Sequence, residues 1–356
     1  MSFWHNKAVF LTGHTGFKGC WLTLWLHQLG ARVFGYSLAP NSQPSLFEAA
    51  DLKSLCAAST LADLADLSAL QSALQDSQAE IVIHMAAQAL VLPSYHNPLE
   101  TWQTNVMGTV HLLEAARACP SVRTLLVVTS DKCYHPPVPV GGYTETHPLG
   151  GHDPYSASKG AAEIVAQSYR SSFAECAGLA CGRAGNVIGG GDWAAHRLVP
   201  DLIRALREGR QLELRSPTAT RPWQHVLEPL SGYLRLLEAL WHQPQQFAEG
   251  WNFGPELSEV RSVAEVVDSF QRAWGSHFTP QYLPASFEEA PELQLNIEKA
   301  RTRLDWRPRL DFARSIQWTA DWYRRFYLGA PPRALMEEQL AEFAALAKGE
   351  GSSPIR

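Results

Sequence analysis

The sequence lacks both long runs of like charge and long runs of apolar residues. Its 30 Lys and Arg against 35 Asp and Glu give a formal net charge of −5 at pH 7, spread along the chain. This balance argues against the basic surfaces that bind nucleic acid or anionic lipid. No segment approaches the ~18 consecutive apolar residues that a membrane-spanning helix needs. We therefore expect neither a nucleic-acid partner nor a membrane association.

Cysteine is also scarce. The six cysteines are scattered and form no C-x-x-C pair, which argues against a zinc site and against a disulfide framework. Neither a basic segment nor a small-residue cleavage site precedes the first apolar run at residues 7–11, so we expect no export signal. The sequence therefore predicts a protein of the reducing cytoplasm without a metal ion.

Two kinds of segment alternate through the first half of the chain. Short apolar runs bounded by Gly, Ser or Asp predict strands at 8–12, 32–36, 81–85, 124–129 and 179–183. Segments of helical period between them predict helices at 21–29, 67–74, 101–119 and 155–173. This order is typical of an α/β fold with a Rossmann-type doubly wound parallel sheet.

A glycine-rich turn follows the first predicted strand and opens the first helix. Gly13, Gly16 and Gly19 have the spacing G-x-x-G-x-x-G. Glycines at such a turn let the backbone approach a pyrophosphate, whose charge then lies on free N–H groups at the start of the helix. A glycine-rich turn alone is often only turn chemistry, but strand, turn and helix in this order predict dinucleotide binding.

The choice between NAD and NADP is left open by the second strand. It ends at residues 35–38 with neither the acid typical of NAD sites nor an arginine. Asp63 is a candidate acceptor for the adenine amine, or else a cap of the helix that follows. His84 closes a further strand at the edge where ligands bind, although a lone histidine there is more often a packed core residue.

Domain organisation follows from length and composition. At 356 residues the chain exceeds what one compact core usually holds. Beyond residue 183 the pattern loosens, with three consecutive glycines at 189–191, while Ser262 and Glu265 form a capping box that predicts a helix start. We expect a dinucleotide-binding domain over 1–183, to which later segments return, and a smaller α/β substrate-binding lobe with C-terminal helices over 184–356.

The candidate catalytic groups lie on two segments. Tyr155 and Lys159 are four residues apart and therefore on one helix face, where the ammonium is expected to lower the pKa of the phenol. Ser130, Asp131 and Lys132 follow a predicted strand at the carboxyl edge of the sheet. An adjacent acid and amine can remove water from a sugar, a step that oxidation or epimerisation at one carbon does not need.

The motifs at 13–19, 84–88, 130–132 and 155–159 together resemble the extended short-chain dehydrogenase/reductase family. Within it, the motifs at 12–19, 44–48, 186–193 and 221–226 are similar to those of 4,6-dehydratases that act on CDP-glucose. The resemblance implies that Asn186 and Arg221 bind the substrate pyrophosphate. It implies an NAD site, with NADP not excluded, formed by Gly13, His14, Gly16, Phe17, Lys18, Gly19, Asp63, Leu64, Ala86, Ala87, Gln88, Thr129, Tyr155 and Lys159.

The resemblance also implies a reaction, in deoxysugar biosynthesis for surface polysaccharide. Tyr155 would deprotonate the hydroxyl on carbon 4 of the sugar, Asp131 would protonate the hydroxyl leaving carbon 6, and Lys132 would take the proton on carbon 5 or support that step electrostatically. Ser130 would hold the oxygen on carbon 4. A homodimer or homotetramer is implied. The alternatives are a sugar-nucleotide 4-epimerase or reductase, a dehydratase of another nucleotide hexose, and a non-catalytic NAD sensor.

Overall fold

The computed structural model describes residues 2–173, 178–214, 216–276, 279–283 and 292–349. Seven strands form its central sheet. They are β1 Ala8–Thr12, β2 Arg32–Ser37, β3 Cys56–Leu61, β4 Ile81–His84, β5 Thr124–Val128, β6 Gly178–Ala184 and β7 Gly250–Phe253.

All neighbouring strands of the sheet are parallel, in the order β7-β6-β5-β4-β1-β2-β3. The order reverses between β1 and β4, where Thr12 pairs with His84. The loops that leave these two strands therefore diverge at the carboxyl edge of the sheet. That crevice is where doubly wound sheets bind ligands.

Helices cover both faces of the sheet. They are α1 Phe17–Gln28, α2 Leu46–Ala49, α3 Leu67–Ser77, α4 Val91–His96, α5 Pro98–Trp102, α6 Gly108–Arg117, α7 Pro154–Ser172, α8 Leu198–Glu208, α9 Leu227–His242, α10 Pro244–Phe247, α11 Val263–Trp274, α12 Glu298–Arg303, α13 Phe312–Tyr327 and α14 Pro332–Gly349. A turn of π-helix at Gln103–Met107 joins α5 to α6, so the prediction of one helix over 101–119 is confirmed with a local widening.

The Rossmann-type fold class is confirmed, and the five predicted strands are observed within one residue of their expected ends. The capping box is also confirmed, since the Ser262 hydroxyl accepts from the Glu265 N–H while the Glu265 carboxylate accepts from the Ser262 N–H. Two strands of the central sheet were not predicted. β3 is an exposed edge strand of small and polar residues, and β7 lies far along the chain in the part assigned to the second lobe.

Segments after residue 184 pack against the sheet. β7 pairs with β6, and α9 lies against β5 and β6. One hydrophobic cluster runs from Trp21 on α1 to Phe343 on α14. The division at residues 183 and 184 stays a prediction.

No helix in the described part of the chain is long and apolar enough to cross a membrane. Within the same residues, no three His, Cys, Asp or Glu side chains are grouped as metal ligands would be. Five cysteines are free thiols, and Cys176 lies outside the described residues.

Candidate active site

A cavity of about 840 Å³ opens at the carboxyl edge of the sheet. Its walls come from the turn after β1, the ends of β2, β5 and β6, the segment after β4, and the lobe around α8. This volume lies in the upper part of the range for small-molecule sites. Many of the predicted site residues line it, namely Gly13, Gly16, Phe17, Lys18, Gly19, Asp63, Leu64, Ala86, Ala87, Thr129, Ser130, Asp131, Lys132, Tyr155, Asn186 and Arg221.

The glycine turn has a backbone conformation at Gly13 that would be strained for any residue with a side chain. Gly13 has φ +77°, and a Cβ there would lie 2.7 Å from the backbone nitrogen of Ala86. At Gly16 the nearest atom to such a Cβ would be the Gly13 carbonyl oxygen, at 3.4 Å. Gly16 is also the N-cap of α1 and offers no side-chain acceptor. The first N–H groups of α1 are therefore left for a ligand at the cavity wall, as a dinucleotide pyrophosphate requires.

Three predicted site residues do not line the cavity, which are His14, Gln88 and Lys159. The His14 ring is buried against Ser59 Oγ at 2.8 Å, and burial lowers its pKa to about 4. The Gln88 amide donates to Leu90 O at 2.9 Å and accepts from the Leu90 N–H. The side chains of His14 and Gln88 are therefore bonded within the protein.

The structure excludes one of the two roles that the sequence left open for Asp63, that of helix cap. It lines the cavity, and its Oδ1 accepts from the Ala65 N–H at 2.9 Å. The helix cap itself is Asp66, whose carboxylate accepts from the Ala69 N–H. Asp63 therefore shapes the loop before α3 and is not the N-cap.

The polar triplet after β5 forms one 3₁₀ turn at the cavity wall, Asp131–Cys133. The Ser130 hydroxyl donates to Asp131 Oδ1 at 3.0 Å. The other oxygen, Oδ2, is buried without a hydrogen-bond partner among the described residues. Burial raises the pKa of Asp131 above its usual range, although Lys132 and the Ser130 hydroxyl oppose this. A buried carboxyl with an unsatisfied oxygen is suited to hold and deliver a proton.

Tyr155 begins helix α7, and its pKa differs from the expectation drawn from sequence. Burial raises the pKa of the phenol to about 12, and the nearby Ser130 hydroxyl only partly offsets this. The prediction that Lys159 brings this pKa below its ordinary value is therefore wrong. The Lys159 ammonium is buried and donates to Val128 O at 3.3 Å, and burial lowers its own pKa to about 8. Loss of solvation therefore has the largest effect on the pKa of both groups.

Asn186 and Arg221, which are expected to bind the substrate pyrophosphate, both line the cavity. Arg221 is buried, its Nη1 donates to Thr220 O at 2.9 Å, and its charge acts on Asp131. Gly185 is required beside them, because a Cβ there would lie 2.9 Å from Asp131 Oδ2 and closer still to Pro222. The sequence analysis did not single out this glycine, whose position after β6 was its available signal.

Arg197 is a cavity residue that the sequence analysis missed. It precedes α8, lines the cavity, and forms an ion pair with Asp192 at 2.9 Å. A basic residue three positions before Pro200, in a loosely patterned stretch, carries no signal of its own. Only the folded chain brings it to the same cavity as Tyr155, with which it interacts electrostatically.

Two further residues near the site, His84 and Trp193, are packing residues. His84 is buried between the hydroxyls of Thr12 and Thr109, and burial lowers its pKa to about 3. Trp193 lies in an aromatic cluster with Trp322 and does not line the cavity. Packing, not ligand contact, therefore explains them.

A buried polar network supports the catalytic strand end from behind. The Thr129 hydroxyl donates to Glu163 on α7 at 2.5 Å, and Glu163 forms a bidentate ion pair with Arg183 on β6 at 2.8 Å. Arg183 also donates to the Tyr134 hydroxyl at 2.6 Å. Both members of the ion pair are at least 95% buried, with side-chain exposures of 5% and 1%. This network fixes the end of β5 relative to α7, which carry the triplet and the tyrosine.

Comparison with known proteins extends this description. The family model described as "NAD dependent epimerase/dehydratase family" matches residues 9–247. CDP-glucose 4,6-dehydratase of Salmonella typhimurium is 43% identical over 350 residues, which are 96% of this chain and 97% of that protein.

Two solved structures share the fold. UDP-glucose 4-epimerase of Thermotoga maritima, solved with UDP-glucose, has a TM-score of 0.79 at 20% identity and covers 90% of this chain and 99% of its own. dTDP-glucose 4,6-dehydratase of Bacillus anthracis, solved in complex with NAD, has a TM-score of 0.76 at 22% identity and covers 90% of this chain and 97% of its own.

The parallel sheet, the glycine turn at its switch point and the Tyr-x-x-x-Lys helix beside a polar strand end define an enzyme of the extended short-chain dehydrogenase/reductase class. The matched residues make up more than half of the chain. The chain belongs to the NAD dependent epimerase/dehydratase family.

Proposed function

We propose that this chain is a CDP-glucose 4,6-dehydratase, a lyase that converts CDP-glucose to CDP-4-dehydro-6-deoxyglucose. The observation that carries the proposal is the buried Asp131 carboxyl, with one oxygen unsatisfied among the described residues, in the same cavity as Tyr155. An epimerase needs no such acid. The 43% identity to the Salmonella enzyme over nearly the whole chain supports the choice of nucleotide.

NAD fits the residues at the glycine turn. Gly13 and Gly16 line the cavity without side chains that would exclude a pyrophosphate, and Asp63, Leu64, Ala86 and Ala87 continue the same wall. Bound NAD would supply a reversible acceptor for hydride. Lys159, held below the cavity by Val128 O, would bind the nicotinamide ribose.

The chain's own groups then divide the proton transfers. Tyr155 takes the proton of the hydroxyl on carbon 4, whose oxygen Ser130 holds. Asp131 gives its proton to the hydroxyl that leaves carbon 6, and its raised pKa favours the protonated form that this step needs. Lys132 takes the proton on carbon 5 or stabilises the charge that forms there. Asn186 and Arg221 bind the diphosphate, for which a guanidinium offers paired donors.

Oligomeric state, location and domain division belong to the same proposal. Leu99, Trp102 and Ile164 on α5 and α7 expose 66%, 40% and 56% of their surfaces. Such apolar groups on neighbouring helices suit an interface between copies, so we infer a homodimer or homotetramer.

The free cysteines suit the reducing cytoplasm. Residues 1–183 would bind NAD and residues 184–356 mainly the sugar nucleotide.

The test is a side-by-side incubation of the protein and NAD with CDP-, dTDP-, UDP- and GDP-glucose. The proposal expects a 4-keto product, detected by its absorbance in alkali, from CDP-glucose with at least tenfold preference. An isomer without that absorbance would identify an epimerase. A preference for another nucleotide would refute the CDP assignment alone.

A further inference from the structure

Lys18 is a cation of the cavity that the proposed proton transfers do not use. It is the second residue of α1, and its side chain lines the cavity. Its ammonium forms no hydrogen bond or ion pair with any residue that the structure describes. The glycine turn itself requires only the backbone at this position.

The surroundings of Lys18 hold more positive than negative charge. Burial, then Lys159 on α7 and Arg197 before α8, lower the pKa of Lys18 to about 7, and Asp131 opposes them. Two other carboxylates in this region form ion pairs with arginines. Asp192 pairs with Arg197, and Glu163, behind Lys159, pairs with Arg183.

A surplus of positive charge acts differently on the two forms of a nicotinamide. The oxidised ring carries a positive charge and the reduced ring is neutral, while the diphosphate is the same in both. A cation beside the bound ring therefore raises the free energy of the oxidised form selectively, because like charges repel and the protein screens them less than bulk water does. Lys18 shares the part of the cavity in which Asp131 and Lys159 act on it electrostatically.

We propose that the Lys18 ammonium biases the bound cofactor toward its reduced form and so favours the oxidation of the sugar. This rests on the proposed function, in which hydride leaves carbon 4 with its electron pair, the hydroxyl proton goes to Tyr155, and the hydride later returns to carbon 6. The electrons balance within one turnover, and no outside reductant is used. Lys18 changes no bond and acts through its charge.

The test compares the dissociation constants of NAD⁺ and NADH by titration calorimetry at pH 6, where Lys18 is charged. Lys18→Met removes the charge, Lys18→Arg keeps it, and Lys53→Met is a matched control at an exposed lysine outside the cavity. We expect the ratio of the NAD⁺ constant to the NADH constant to fall on the order of tenfold in Lys18→Met. The Lys18→Arg and Lys53→Met proteins should keep the parent ratio.

An unchanged ratio in Lys18→Met would overturn the proposal, as would an equal weakening of both ligands, which is the result for a phosphate contact or a structural role. The parent's conversion of CDP-glucose is measured separately. A parent that forms no keto product while the ratio still falls refutes the proposed function and leaves the charge bias standing. If the parent forms the keto product but the ratio of dissociation constants is the same in Lys18→Met, the charge bias is refuted and the proposed function stands.

Discussion

Replacing Asp131 by asparagine tests the assigned acid with the smallest change of shape. Its Oδ1 accepts from Ser130 at 3.0 Å, and the space beside Oδ2 is closed by Gly185, so a larger residue would disturb the turn. Asparagine keeps the volume and loses the transferable proton. General acid catalysis contributes ~10²–10⁴-fold, so the barrier to loss of water should rise by about 3–5 kcal/mol.

The assay follows two signals of the Asp131→Asn protein with CDP-glucose and NAD. Absorbance of reduced nicotinamide in stopped flow reports sugar oxidation, and alkali absorbance reports the keto product. We expect oxidation at near the parent's rate and keto product at least a hundredfold slower. Asp201→Asn is the control, because this cavity aspartate pairs with Arg204 on its own helix. Keto product at the parent's rate from Asp131→Asn would refute the assignment.

Three further predictions concern charge. Lys132→Arg keeps the positive charge, but arginine cannot readily take a proton. If Lys132 is the base, solvent deuterium should therefore enter carbon 5 about a hundredfold more slowly in this variant, whereas an unchanged rate would leave Lys132 an electrostatic role. Glu163→Gln leaves the buried Arg183 charge without its ionic partner and should lower the free energy of unfolding by about 3–5 kcal/mol in denaturant titration. A loss below ~1 kcal/mol would contradict the buried network. Burial lowers the pKa of His84 and His225 from 6.5 to about 3, so the unfolded chain binds protons that the folded chain does not. The contribution of these histidines to the free energy of unfolding is therefore present above pH 6.5 and is lost below it, by up to ~1.4 kcal/mol per pH unit for each histidine. A His84→Gln protein whose stability falls as steeply as the parent's between pH 6.5 and 5 would contradict this.

The fold was largely predictable because its central strands are continuous apolar runs. β1 and β5 are buried along their whole length, so their sequences have no polar interruptions. β3 has no such run, since as an edge strand it exposes much of its surface. β7 could not be assigned to the sheet from sequence because pairing between distant segments leaves no local pattern.

The site was predictable where spacing alone brings groups together. Tyr155 and Lys159 share one helix, and residues 130–132 share one turn. Arg197 was missed because its place depends on how the second half of the chain folds over the cavity. The pKa of Tyr155 was mispredicted because burial, which the sequence does not reveal, has the largest effect on it.

The central claim is that hydride leaves and re-enters the same sugar while water is lost. Incubating the protein and NAD with CDP-glucose deuterated at carbon 4 tests it most directly by NMR and mass spectrometry of the product. The account predicts a 4-keto product with that deuterium at carbon 6 and a solvent hydrogen at carbon 5. Deuterium retained at carbon 4 of an isomer, or lost to solvent, would contradict it.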